Sequence, residues 1–247
     1  MKVIFHDMFK HVYDYDPAAA PGRMEAIVDE LQGLYEFIEP QPAEEKDLLL
    51  VHLKSHVDWV RIHYRHIYEI AALSAGGAIK AAELAVTGEP AFALIRPPGH
   101  HASPGSSWGF CWFNNIAVAV EKLRQKKAVN KALIVDFDLH FGDGTDNIFK
   151  DVPEVLYYHL YSIDGLEKTL NHCRDYDIVA VSAGFDSHKD DWGYLLTTDD
   201  FKTIGKMIAG HARKFYGGKF FTVLEGGYNH QILGKNVKAL LDGYGSV

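Results

Sequence analysis

The stretch Ile134-Val135-Asp136-Phe137-Asp138-Leu139-His140-Phe141-Gly142-Asp143-Gly144 decides the fold of this chain. The apolar run leading into it from Lys131 reads as a strand buried on both faces, the kind that builds parallel sheets. It ends abruptly, and three carboxylates, one imidazole and two glycines follow within nine residues. Burying a charge costs several kcal/mol unless it is paired or bound to a metal. So dense a cluster at one strand end therefore points to a cation, to hydrogen-bonded carboxylate–imidazole pairs, or to both.

Working outward, the same kind of run recurs at Lys2 to Phe5, Ala91 to Ile95, Val155 to His159, Ile178 to Ser182 and Phe220 to Leu224. Helical spacing falls between these runs. Ile27, Leu31, Leu34 and Ile38 keep it after Pro21-Gly22, and an alanine-rich segment keeps it from Tyr68 to Val86, where Gly76-Gly77 would let a helix lie close to a sheet. The segment Leu48 to Val51 reads equally as a strand or as the start of a helix. Asn114 or Asn115 caps a helix bearing Ile116, Ala119, Val120 and Leu123, Thr197-x-x-Asp200 is a capping signature ahead of Phe201, Ile204 and Ile208, and a last helix carries Leu233, Val237 and Leu240. Strands alternating with helices predict an α/β fold with a mainly parallel central sheet covered on both faces. In such sheets ligands bind beyond the carboxyl ends of the strands, where His100-His101, Asp136 to Asp143, Ser182 to Asp186 and Glu225-Gly226-Gly227-Tyr228 all fall.

At 247 residues, 47% of them hydrophobic, the chain can bury one large core, and a single domain over 1–247 is expected. A formal net charge of -8 without a long basic run argues against nucleic acid and mildly favours a cationic substrate. The two cysteines, Cys111 and Cys173, are too few for a disulfide framework. No leader segment or apolar run of about 18 residues is visible, so the expectation is a cytoplasmic protein with no membrane partner. An oligomer is compatible with all of this.

Asp138 and His140, two residues apart just past a strand, can aim at one point, with Asp186 as a third ligand from a neighbouring strand. Two carboxylates and an imidazole suit Zn²⁺, with Fe²⁺ or Co²⁺ as substitutes, and leave room for water. His100 and His101 can share one pocket, with Asp136 and Asp143 available to fix a tautomer each. One histidine then serves as general base and the other as electrostatic aid or proton donor. Tyr228 is placed to hydrogen-bond a carbonyl oxygen that becomes an oxyanion. Taken singly, each of these residues is more often structural: ten of the fourteen histidines, His52 among them, are read as satisfied polar groups, and Cys111 as a small core residue. The recurrence of signals at successive strand ends is what favours chemistry.

Arg96-Pro-Pro-Gly-His-His-Ala, Gly109-Phe-Cys-x-Phe-Asn-Asn, Asp136-x-Asp-x-His-x-Gly-Asp-Gly, Ala183-Gly-Phe-Asp and Glu225-Gly-Gly-Tyr, in this order, resemble the zinc-dependent histone deacetylase family, including its bacterial and archaeal acetylpolyamine amidohydrolases. The resemblance runs from about Tyr68 onward. It implies a three-layer α/β/α, arginase-like fold and hydrolysis of the acetyl amide of an acetylated amine, an acetylpolyamine or acetyl-lysine. By motif position it implies Asp138, His140 and Asp186 as zinc ligands, His100 and His101 as the catalytic pair held by Asp136 and Asp143, and Tyr228 as the carbonyl-polarising residue. Gly109 and Phe110 would line the channel, and Arg23 matches the family's arginine near the cavity that releases acetate.

The chain also departs from that pattern. Its interval between Asp143 and Asp186 is much shorter than is usual in the family, and loops near Arg61 to His66 and at the amino end are abbreviated, so an open pocket is expected unless another subunit or Trp192 covers it. Phe141 stands where the family often has a second histidine, for which the sequence offers no physical reason. His159 falls where a serine commonly helps to hold a structural K⁺; this argues against potassium, and a charged or hydrogen-bonding imidazole is expected to take over part of that role. Two other functions fit the sequence less well. A ureohydrolase with two manganese ions needs further carboxylates where this chain has His100-His101, and a non-catalytic binder of acylated ligands has no use for an intact Tyr228 and both histidines.

Overall fold

The computed structural model describes residues 1–247. Seven strands form one sheet in the order β2-β1-β3-β7-β6-β4-β5, with every pairing parallel. They are β1 (Lys2–Ile4), β2 (Glu36–Ile38), β3 (Ala91–Ala93), β4 (Ala132–Asp136), β5 (Val155–His159), β6 (Ile178–Ala183) and β7 (Phe220–Leu224). Every residue of β3, β4, β6 and β7 is buried, as expected for strands covered on both faces.

The helices that cover the sheet are α1 (Arg23–Leu31), α2 (Glu45–Leu48), α3 (Lys54–His63), α4 (Arg65–Val86), α5 (Asn115–Gln125), α6 (Asp143–Phe149), α7 (Ile163–His172), α8 (Thr198–Phe215) and α9 (His230–Gly245). α4 and α5 pack together on one face, and α1, α8 and α9 on the other, giving three layers. The capping signals act as read. Asn114 accepts the Ala117 N–H at 3.1 Å ahead of α5, and Thr197 and Asp200 bond reciprocally at the start of α8. Along α4, a side chain on Gly77 would meet Ile95 and one on Gly76 the Gln41 carbonyl, so these two residues let the helix lie close to the sheet edge and its neighbouring chain. No helix is long and apolar enough to cross a membrane.

Two readings of the sequence need correction. The spacing Ile27, Leu31, Leu34, Ile38 is not one helix: α1 ends at Leu31, Gly33 takes a left-handed turn at φ 81°, and Glu36–Ile38 pairs with β1 as an edge strand. A left-handed residue breaks the helical run, and the aromatic and β-branched pair Phe37-Ile38 then joins the sheet. Leu48 to Val51 is neither strand nor long helix but the end of the short α2 and the turn after it.

The sheet order is what builds the site. β3, β7, β6 and β4 are far apart in sequence yet adjacent in space, and their carboxyl ends deliver the four polar clusters to one crevice.

Candidate active site

The loop after β3 carries His100 and His101, both buried, with ring centroids 4.1 Å apart. Each is tied to a carboxylate from the segment after β4. His100 Nδ1 lies 3.0 Å from Asp136 Oδ2, and His101 Nδ1 lies 2.6 Å from Asp143 Oδ1. A carboxylate at Nδ1 holds the proton there and turns Nε2 the other way. Gly144 makes this approach feasible, because a Cβ there would fall 2.5–2.6 Å from the backbone of His101 and Ala102. With only hydrogen at that position, the first turn of α6 closes on the histidine loop and Thr145 N–H reaches the His100 carbonyl at 3.0 Å.

The ionisation of the two histidines diverges. Burial works against a charge on His100, but Asp138 and Asp136 outweigh it and raise its pKa well above the ordinary value. His101 is lowered, first by burial and then by the charge on His100. Neighbouring titratable groups pushed apart in this way are a mark of acid–base sites.

Beside them, one ligand atom each from Asp138, His140 and Asp186 lies within 4.8 Å of the others. Asp138 and Asp186 are buried. Asp138 Oδ2 accepts the Gly226 N–H at 2.8 Å, and Asp186 Oδ1 accepts the Leu139 N–H at 3.1 Å. Asp186 Oδ2 has no hydrogen-bond partner, although His140 Nδ1 is 3.0 Å away. Burial, reinforced by the charge on Asp138, pushes Asp186 up to about 6. Its hydrogen bond to Asp138, and then the nearby Asp186 carboxylate, push His140 up to about 10. Two desolvated carboxylates facing one imidazole, with an oxygen left over, form a donor set that a divalent cation would satisfy. Two hard oxygens and one nitrogen fit Zn²⁺ and also Fe²⁺ or Co²⁺.

Tyr228 follows β7 on the far side of the pocket. Burial raises its pKa well above the ordinary value, so the hydroxyl keeps its proton and remains a donor. Beneath it, the buried Arg23 donates from Nε to Gly227 O at 2.8 Å and from Nη2 to Glu225 O at 2.6 Å, with its guanidinium 5.7 Å from the Tyr228 ring centroid. Gly109 and Phe110 line the pocket, as do Trp108 and Trp192.

The expectation of an open pocket is answered by these two tryptophans. Trp192 stacks on Tyr228 at 4.0 Å and 30°, Trp108 lies over His101 at 4.0 Å, and the cavity between them is only about 110 Å³. A larger hollow of about 500 Å³, lined by Tyr35, Arg213 and Tyr244, lies at the opposite ends of the strands and gathers none of these groups.

The structure also accounts for Phe141, whose ring packs edge-on against Tyr157 at 5.4 Å and against His159 at 5.6 Å. His159 does not play the part expected of it. Burial lowers its pKa, leaving it uncharged, and its Nδ1 has no hydrogen-bond partner. A desolvated imidazole among aromatic rings loses more from carrying charge than the distant carboxylates return.

The family pattern described as histone deacetylase domain matches residues 18–169 and 165–244. The chain belongs to the histone deacetylase family. A probable deacetylase of Methanothermobacter thermautotrophicus is 32% identical, over 84% of this chain and 78% of that protein. The human protein named polyamine deacetylase HDAC10 is 29% identical, over 88% of this chain and 43% of that protein. The crystal structure of the HDA15 HD domain superposes with a TM-score of 0.84 at 26% identity, covering all of this chain and 90% of that one. As a member of the histone deacetylase family, the chain is a hydrolase of the deacetylase kind.

Four residues of the candidate site escaped the sequence reading. Tyr157 on β5 donates to Asp136 Oδ2 at 2.9 Å and accepts the Gly142 N–H at 2.7 Å. Glu225 Oε2 accepts the N–H groups of Gly99 at 2.7 Å and His100 at 3.2 Å. Asp191 Oδ2 accepts those of Tyr228 and Asn229, both at 2.8 Å. Trp108 Nε1 donates to Asp143 Oδ2 at 2.9 Å. Only Glu225 carried a signal, its place at the head of the Glu225-Gly-Gly-Tyr motif; the others depend on which strands and loops become neighbours. Cys111 agrees with its bland reading, since burial raises its thiol pKa well above the ordinary value and its Sγ accepts the His101 N–H at 3.5 Å.

Proposed function

We propose that this protein is a metal-dependent amidohydrolase that removes the acetyl group from a slender, cationic primary amine, an acetylpolyamine in preference to an acetyl-lysine peptide. The observation that carries the reading is the divergence of His100 and His101 beside a buried Asp138–His140–Asp186 donor set, with both histidines and His140 lining one aromatic pocket. Those three residues would hold the cation, Zn²⁺ by preference, which when bound supplies Lewis-acid polarisation of the amide carbonyl and acidifies water.

The chain's own residues then act in sequence. His101, neutral and with Nδ1 engaged by Asp143, takes the proton from the attacking water at Nε2. The Tyr228 O–H donates to the carbonyl oxygen as it gains negative charge, an interaction stronger in the transition state than in the ground state. His100, held protonated by Asp136 and Asp138, supplies a fixed positive charge alongside. When the C–N bond breaks, His101 returns its proton to the amine nitrogen, leaving acetate and the free amine.

The substrate class is supported by three features. The net charge of -8 attracts cations, the aromatic walls Trp108, Phe110 and Trp192 suit an alkyl arm followed by an ammonium, and one relative bears the name polyamine deacetylase. The test is turnover of acetylated polyamines and acetyl-lysine peptides by zinc-loaded protein, alongside His101→Ala and Tyr228→Phe. Turnover that favours the polyamine and drops by about 10²-fold or more in each variant is expected. A zinc-loaded protein inert towards every acylated amine would overturn the proposal.

A further inference from the structure

His101 is enclosed more completely than its pairing with Asp143 requires. The ring of Trp108 lies over the imidazole with centroids 4.0 Å apart and 34° between planes, while its Nε1 donates to Asp143 Oδ2 at 2.9 Å. The other oxygen of that carboxylate, Oδ1, holds His101 Nδ1 at 2.6 Å. One side chain therefore touches both members of the pair, covering the base and tethering the acid.

The backbone is shaped to allow this. Gly109 at φ 60° and Phe110 at φ 64° are consecutive left-handed residues directly after Trp108, an arrangement that strains Phe110 and persists only where surrounding contacts impose it. The turn wraps the loop around His101 so tightly that a Cβ on Gly109 would collide with the imidazole ring. Asp143 needs the tether: its side chain is 38% exposed, unlike Asp136, which is fully buried and held by Tyr157 as well as His100. Without a second contact, an exposed carboxylate is free to rotate into water.

We propose that Trp108 is a positioning residue for the His101–Asp143 pair, its indole N–H fixing the carboxylate while its ring shields the imidazole from solvent. The tether and the Tyr157 hydroxyl thus do the same work on the two pairs, one on Asp143 and one on Asp136. The other groups facing His101 are His100, Asp138, His140 and Cys111, whereas the Asp143 carboxylate is hydrogen-bonded by His101 and Trp108. In the catalytic arm of the test the inference rests on the amidohydrolase reading above.

Trp108→Phe keeps an aromatic ring without the N–H, and Trp108→Ala removes both. Trp108 is 56% exposed, so neither variant empties the core, and thermal unfolding checks this. In the zinc-loaded protein, kcat should fall about tenfold in Trp108→Phe and about 100-fold in Trp108→Ala, with KM changed by less than about twofold. In the metal-free protein, proton NMR reads the pair directly through the downfield Nδ1–H signal of His101, assigned by its loss in His101→Gln. That signal should shift in Trp108→Phe, as Asp143 gives its charge to one donor instead of two. It should exchange away in Trp108→Ala, as the imidazole is uncovered. A signal absent from wild type or the same in all three proteins, or a loss confined to KM, would overturn the assignment and make Trp108 a wall of the channel only. If the wild type turns over no acylated amine, the proposed function fails, and the NMR comparison still decides the role of Trp108.

Discussion

The Asp191 carboxylate and the Tyr228 backbone are joined by a hydrogen bond of 2.8 Å, and the same oxygen holds the next N–H, that of Asn229, at 2.8 Å. The Asp191 Oδ1 atom accepts the N–H of Trp192 at 2.9 Å, and the ring of Trp192 rests on that of Tyr228. A turn after β6 thus grips the loop after β7 by its backbone, by the Asn229 amide, which donates to Asp190 O at 2.7 Å, and by the Tyr228 ring.

Removing that grip should resemble removing the Tyr228 hydroxyl. Asp191→Ala leaves N–H groups unpaired, lowering stability by about 2 kcal/mol, and frees Tyr228, lowering kcat by about 10- to 100-fold. Because both changes act through one group, Asp191→Ala combined with Tyr228→Phe should be little slower than Tyr228→Phe alone. Additive losses in the double variant would show that Asp191 acts elsewhere.

Glu225 is the counterpart on the histidine side. Its carboxylate is fully buried, and burial pushes its pKa up to about 7, yet it anchors Gly99 N–H and His100 N–H and accepts from Ser182 Oγ at 3.2 Å. Glu225→Ala should cost about 1–3 kcal/mol in urea unfolding and displace the histidine loop, with kcat following. Glu225→Gln, which keeps one acceptor oxygen, should lose less on both measures.

Histidine 52 gives the protein an acid sensitivity that does not involve the active site. Burial, followed by the proximity of His56, lowers it to about 3, and its Nε2 accepts the Asn114 N–H at 2.9 Å, a bond that protonation would abolish. The folded pKa lies below the unfolded value of about 6.5, so the unfolded chain binds the extra proton between these limits. Stability should therefore fall as pH drops below about 6.5, by up to about 1.4 kcal/mol per pH unit, and level off near pH 3. Urea midpoints measured between pH 7 and 5 should decline more steeply for wild type than for His52→Gln.

The leftover oxygen of Asp186 predicts how the protein answers to metal. Zinc at 100 times its dissociation constant should stabilise the fold by about 2.7 kcal/mol, and chelation should reverse this. In metal-free protein, Asp186→Asn removes one of two repelling buried carboxylates and should raise the thermal midpoint, while zinc should no longer raise it further. A zinc-induced shift of wild-type size in this variant would place the ion elsewhere.

Much of the architecture was legible because it rests on local chemistry. Buried strands must be apolar on both faces, so β3, β4, β6 and β7 stood out as runs, and the helix starts at Asn114 and Thr197 were written in capping residues. The short edge strand β2 was missed because its three residues, half-buried at best, carry little hydrophobic signal and follow a helix whose spacing they happen to continue.

What the sequence by itself determined is the chemical inventory: paired histidines, carboxylates two residues apart, and a tyrosine after two glycines, each at the end of a strand, in an order that resembles one family. Only the tertiary structure decided how these groups are held. β7 slots between β3 and β6, so Glu225 meets the His100 N–H and Gly226 meets Asp138, residues more than 80 positions away. β5 pairs with β4, so the Tyr157 hydroxyl reaches Asp136. The loops bearing Trp108 and Trp192 fold over the pocket and narrow a channel whose shortened surroundings suggested an open one. The reason is physical: a residue's type sets which proton or metal it can hold, but its pKa, orientation and exposure are set by neighbours that chain order does not name.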